Sequence, residues 1–134
     1  MESSSPPNIL AIFEELDARV DKEGYTFASE EDVDRWAGQL DVDWLSCLDL
    51  IGAELAKKYH ANEVSYEFGD SLANDLNSTL MFRHEQVPEG SWPSLFWEVH
   101  EAFDAGEWPP KTDELDPIEQ YTKPEIARIV ARLA

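Results

Sequence analysis

Cysteine is almost missing from this chain. Cys47 is the only one in 134 residues, so no internal disulfide can close and no C-x-x-C metal or redox motif exists. That usage suits a reducing compartment, and the expected localisation is cytoplasmic. Long apolar runs are missing too. The longest stretch without a charged residue, Ser3 to Phe13, is 11 residues, too short to span a bilayer and without the basic flank of a signal peptide. Phosphate-cradling glycine loops and the G-x-S-x-G serine elbow are absent, which removes the sequence support for nucleotide-dependent or serine-based catalysis. No cofactor is expected.

Positive charge is the other scarcity. Ten Lys and Arg stand against 29 Asp and Glu, for a net charge of −19. The excess is even, with 14 acidic and 5 basic residues up to residue 60 and 15 and 5 after it. Such a surface repels phosphate backbones and anionic lipids, so neither direct nucleic-acid binding nor membrane association is expected. It attracts basic proteins and cations.

Apolar residues are present in quantity, 43% of the chain, with five Trp, six Phe and four Tyr. A chain of this length hides roughly two-thirds of its unfolded surface in one core. The expected organisation is an N-terminal lead over 1–7 and a single helical domain over 8–134. Ile9, Ile12, Phe13, Leu16 and Val20 recur at helical spacing after Asn8 as N-cap, and Gly24 follows the end. Ser29 caps a short helix over 30–38, with Val33, Trp36 and Ala37 on its apolar side. Trp44, Leu48, Ile51, Leu55 and Tyr59 mark a long helix starting near Asp41 or Asp43. Asn62 breaks the chain before a helix carrying Val64, Phe68, Leu72, Leu76 and Leu80. Gly69 inside that helix costs about 1 kcal/mol relative to Ala, which close packing of a neighbouring helix can offset.

Ser91 as N-cap with Pro93 in the first turn predicts a helix over 92–105 ended by Gly106. Asp116 to Glu119 reads as a short capped turn. Thr122-Lys123-Pro124-Glu125 reads as a capping box opening the last helix, with Ile126, Ile129, Val130 and Leu133. The fold class is therefore all-α, five to six helices, with α+β containing a small sheet as the alternative.

His60, Glu63, Glu67, Asp70 and Asn74 would line one face if a single helix ran through them. Oxygen ligands at such spacing suit Mg²⁺ or Mn²⁺, and Glu63, Glu67 and Asp70 are the candidate metal ligands of a metal-dependent hydrolase. Against this stands a solvated charged face, common where acids are this frequent. His100, Glu101 and Asp104 share part of the H-E-x-x-H spacing but lack the second histidine, which points to a surface ion pair. Cys47, among Leu45, Leu48 and Ile51, reads as a small buried hydrophobe.

Trp92 and Trp108 each precede proline, which places a large ring on stiffened backbone, in the core or as an interface anchor. The function these features favour is a non-catalytic protein-binding module, inhibitor- or immunity-like, docking on a basic partner through Trp108, Asp113, Glu114 and Asp116. Mimicry of DNA charge is a special case of it. The metal-dependent hydrolase is the alternative, and an accessory subunit concerned with assembly a third reading; oligomeric state is not fixed by the sequence.

Overall fold

The computed structural model of the chain describes residues 7–107 and 116–133. Six α-helices follow in order: α1 (Pro7–Arg19), α2 (Glu30–Leu40), α3 (Trp44–His60), α4 (Tyr66–Phe82), α5 (Ser94–Asp104) and α6 (Lys123–Leu133). Short 3₁₀ turns occupy His84–Gln86 and Ala105–Glu107, and a π turn, Ile118–Thr122, runs into α6. The architecture is all-α. No strand occurs among the described residues, and the small-sheet alternative falls away.

The middle of the bundle is α3, which touches α1, α2, α4, α5 and α6. Its sequence explains the position: Leu45, Cys47, Leu48, Ile51, Leu55, Ala56 and Tyr59 are all buried, and a helix apolar on so much of its circumference must be surrounded. Two glycines bring α5 in close. A Cβ at Gly52 of α3 would lie 3.1 Å from the Phe96 Cα, and a Cβ at Gly69 of α4 would lie 2.4 Å from the Phe103 ring. Phe96 and Phe103, seven residues apart on one face of α5, thus settle into a notch on each neighbour. Gly69 has the close neighbour its helix-breaking cost required.

Several helix ends differ from the sequence reading, each for a local reason. Asn8 lies inside the first turn of α1 and is no cap; its Nδ2 donates to the Gln39 carbonyl at 2.6 Å. Ser29 does cap α2, in a reciprocal capping box with Asp32, and the helix runs past Gly38 to Leu40 because Asp41 takes the left-handed closing conformation, φ 59°. Asp43 and Ser65 cap α3 and α4 with their side chains. Ser91 does not cap α5. That helix starts at Ser94, and Asp49 of α3 accepts the Phe96 N–H at 2.9 Å.

Gly106 stops nothing, since it lies within the 3₁₀ turn that extends α5. A Cβ there would meet the Thr122 Oγ1 at 2.5 Å. Thr122 likewise caps nothing at α6. It is fully buried and donates to the Ala102 carbonyl at 2.7 Å, so the π turn passes into α6 without a break. Together with the Tyr66 hydroxyl, which donates to the Phe103 carbonyl at 2.6 Å, it closes the carbonyl end of α5 from outside the helix.

Candidate functional site

The carboxylate ridge does not run along one helix face. Asn62 takes a left-handed conformation, φ 62°, and turns the chain between α3 and α4, leaving His60 at the end of α3. Glu63 faces Lys58 at 3.5 Å. The Glu67 Cβ packs over Gly24. Asp70 lies against Glu107 instead, and Asn74 donates to the Glu107 Oε2 at 2.9 Å. Among the described residues, no three His, Cys, Asp or Glu side chains gather as metal ligands.

Of the partner patch read from sequence, Trp108, Asp113 and Glu114 lie outside the described residues. Asp116 is exposed, and its Oδ1 accepts the Ile118 N–H at 2.9 Å, so it caps the π turn. Trp92 is half-buried, packing edge-on to Trp97 with centroids 5.4 Å apart. His100 is not a surface ion-pair residue. Only 8% exposed, it lies between the Phe96 and Trp97 rings, its Nδ1 has no hydrogen-bond partner, and burial holds its pKa below the ordinary value. Cys47 is fully buried, and burial, with Asp34 and Asp43 nearby, pushes its thiol up to about 12, so it carries no nucleophile at neutral pH.

A surface hollow of about 620 Å³ lies where the end of α1 and the turn after it meet the start of α4. Val20, Val64 and Phe68 line it with apolar surface. Asp17, Asp21, Glu23, Glu63 and Glu67 add five carboxylates, Glu63 being paired with Lys58, and Lys22 is the cation in the lining. The turn shaping it is local in origin: the Asp21 Oδ1 accepts the N–H groups of Glu23 and Tyr25, and Gly24 adopts φ 94°. A side chain at Gly24 would strike Glu67, its Cβ 2.8 Å from the Glu67 Cβ.

Directly after Gly24, in the connection from α1 to α2, come two aromatic rings. Tyr25 is 53% and Phe27 61% exposed, with ring centroids 6.0 Å apart. Thr26 and Ala28 between and after them are buried. Phe27 holds φ 52°, a left-handed backbone that is strained for a bulky residue. Asp75 of α4 holds it there, accepting the Thr26 hydroxyl at 2.6 Å and the Ala28 N–H at 2.8 Å through one oxygen. Ser71 accepts the Thr26 N–H at 3.0 Å, and Arg19 donates to the Phe27 carbonyl at 3.1 Å. The available signal was the out-in-out-in alternation of Tyr25, Thr26, Phe27 and Ala28, too short to stand apart from a loop.

The site thus consists of a fixed loop presenting two rings beside an acid-rimmed hollow, on a six-helix all-α body. No family model matches the chain, and no curated protein or solved structure matches it significantly.

Proposed function

We propose that this protein is a non-catalytic binding module, inhibitor- or immunity-like in kind, that docks on a basic protein partner through Tyr25, Phe27 and the adjoining hollow. The observation that carries this reading is Phe27: a large apolar ring, 61% exposed, on a strained backbone that four hydrogen bonds hold in place. Strain of this kind costs on the order of 1–3 kcal/mol and persists where the surroundings over-determine it, commonly at binding sites. Aromatic anchors on rigid backbone lose little entropy on binding. A partner lysine or arginine can lay its methylenes on Val20, Val64 and Phe68 and leave its charge among Asp17, Asp21, Glu23, Glu63 and Glu67.

The test is capture of partners from the native lysate on immobilised wild type, Phe27→Ala and Glu63→Lys/Glu67→Lys, at low and moderately high salt. A basic protein held by wild type, released by salt and lost from both variants supports this surface. Retention by both variants, with loss from an Asp113→Lys/Glu114→Lys protein, moves the docking surface to the patch around Trp108 and Asp116. Retention by all variants, or no basic protein on wild type, sinks the reading.

A further inference from the structure

On α5 one imidazole is buried among rings without a hydrogen bond. The His100 ring lies 5.2 Å from the Trp97 ring and 6.1 Å from the Phe96 ring, centroid to centroid, tilted by 31° and 32°. Its Nδ1 is buried and has no partner. Phe96 on one side is fully buried against Gly52 of α3, whereas Trp97 on the other is half-buried and meets Trp92 edge-on at 5.4 Å. The imidazole therefore stands as a spacer between the core and an outer pair of indoles.

A neutral imidazole carries one proton, and the unpartnered Nδ1 assigns it to Nε2. Protonation puts a positive charge and a second N–H where nothing accepts a hydrogen bond, and an unpaired buried charge is costly. Two effects oppose that cost. The face of Trp97 attracts a cation, and Asp104, Glu107 and Glu101, in that order, favour one. All three carboxylates are exposed, so solvent screens them, and a ring face returns less than lost hydration costs. Burial prevails and holds the imidazole below its ordinary 6.5. On the helices packed against α5, Asp70 and Tyr66 of α4, Tyr59 of α3 and Lys123 of α6 stand around this end of the bundle, acting on one another and on Glu107 rather than on the His100 ring.

We infer that His100 is an acid-released wedge: neutral, it fills the space between Phe96 and Trp97; protonated, it leaves for solvent and the exposed Asp104 carboxylate one turn on, loosening the Trp92–Trp97 pair. Trp92 also lines, with Trp44 and Asp49, a hollow of about 440 Å³ beside the start of α3, so acid reshapes that surface as well. The folded value of His100 lies below the ordinary one, so the wedge contributes fully above pH 6.5 and is lost as pH falls from there through the folded value. Over that interval the seated-to-released ratio falls about tenfold per pH unit.

Carbon-13 NMR of the His100 Cε1 in the full chain, with exchange of the Trp92 and Trp97 indole N–H groups corrected for the intrinsic rate, tests both parts. The expected result is a Cε1 midpoint below 6.5 and indole protection that falls about tenfold per pH unit between 6.5 and that midpoint. His100→Phe keeps a ring in the same space and should hold the protection constant over this range. Asp104→Asn, a second variant should the first fail to fold, removes the charge that most favours the imidazolium and should lower the Cε1 midpoint further. A midpoint at or above 6.5 overturns the wedge, because the cation is then stable between the rings. A low midpoint with unchanged indole protection overturns the release. Equal loss of protection in wild type and His100→Phe assigns the acid response to another group and overturns both.

Discussion

Gly69 shows at the scale of one residue how two opposed effects are decided by distance. Replacing it with Ala gains about 1 kcal/mol of helix propensity. The new Cβ, however, would lie 2.4 Å from both Cε1 and Cζ of Phe103, well inside van der Waals contact and against a ring that is itself fully buried. Overpacking of this kind costs about 1–3 kcal/mol, so Gly69→Ala is expected to be net destabilising by up to about 2 kcal/mol, the difference between the two effects. Urea denaturation measures it. The double variant Gly69→Ala/Phe103→Leu should recover stability relative to Phe103→Leu alone; if Gly69→Ala stabilises wild type, α5 does not pack this closely. The glycine was conspicuous in the sequence as a misfit inside an apolar helix. What it accommodates was not legible, because Phe103 is distant along the chain and nothing local couples them. Phe27 was harder still, since a left-handed backbone at a phenylalanine runs against its preference and is imposed by Asp75 from another helix.

Among the elements, helix bodies followed from periodicity, whereas the ends depended on whether the capping group was local. Ser29, Asp43 and Ser65 cap their own helices, and these starts were readable within a residue or two. The predicted start of α5 falls two residues early because the acceptor at its first turn, Asp49, belongs to α3; Ser91 resembles a cap without being one, and Pro93 stands just before the helix. Removing the acceptor with Asp49→Ala leaves the Phe96 N–H unpaired beside the core and is expected to cost about 1–3 kcal/mol. Asp49→Asn keeps an oxygen there and should recover most of it. A loss below about 0.5 kcal/mol in Asp49→Ala, read from denaturation midpoints, would mean that water replaces the cap.

The α1–α2 pair tests the acid side. Glu15 accepts from Arg19, Arg35 and the Trp36 indole, and Asp32 accepts from both arginines. The Arg35 hydrogen bond, against some burial, lowers Glu15 to about 2, and Asp32 is lowered as well. Both folded values lie below the ordinary ones, so this contribution is present above the ordinary carboxylate range and lost as pH falls through about 2. The α1–α2 resonances should therefore stay native at pH near 3.5, where free glutamates are mostly protonated, and Glu15→Gln should move their acid transition upward. Coincident transitions in both proteins would remove the network from the account.

For the whole molecule, the even spread of 29 acids was visible in the sequence, but their gathering around one hollow was not, because it requires residues 17–24 to meet 63–68 in space. The same charge has two consequences of opposite sign. Among the described residues, Arg19, Arg35, Lys57, Lys58, Arg83, Lys123, Arg128 and Arg132 stand in ion pairs, which salt weakens. Exposed pairs contribute only about 0–1 kcal/mol each, whereas 29 acidic residues against 10 basic ones leave a net −19, so relief of self-repulsion prevails. Screening length falls from about 30 Å at 0.01 M salt to about 8 Å at 0.15 M. Over that range the melting temperature is expected to rise, with most of the rise complete by 0.15 M, as screening requires. A Glu63→Gln/Glu67→Gln protein, with two fewer carboxylates at the crowded rim, should start higher and rise less. Docking on a basic partner responds in reverse: salt weakens it in wild type, and less steeply in the double variant. A melting temperature that falls with salt would place the ion pairs above the repulsion. Equal salt slopes of binding in the two proteins would place the partner away from this rim.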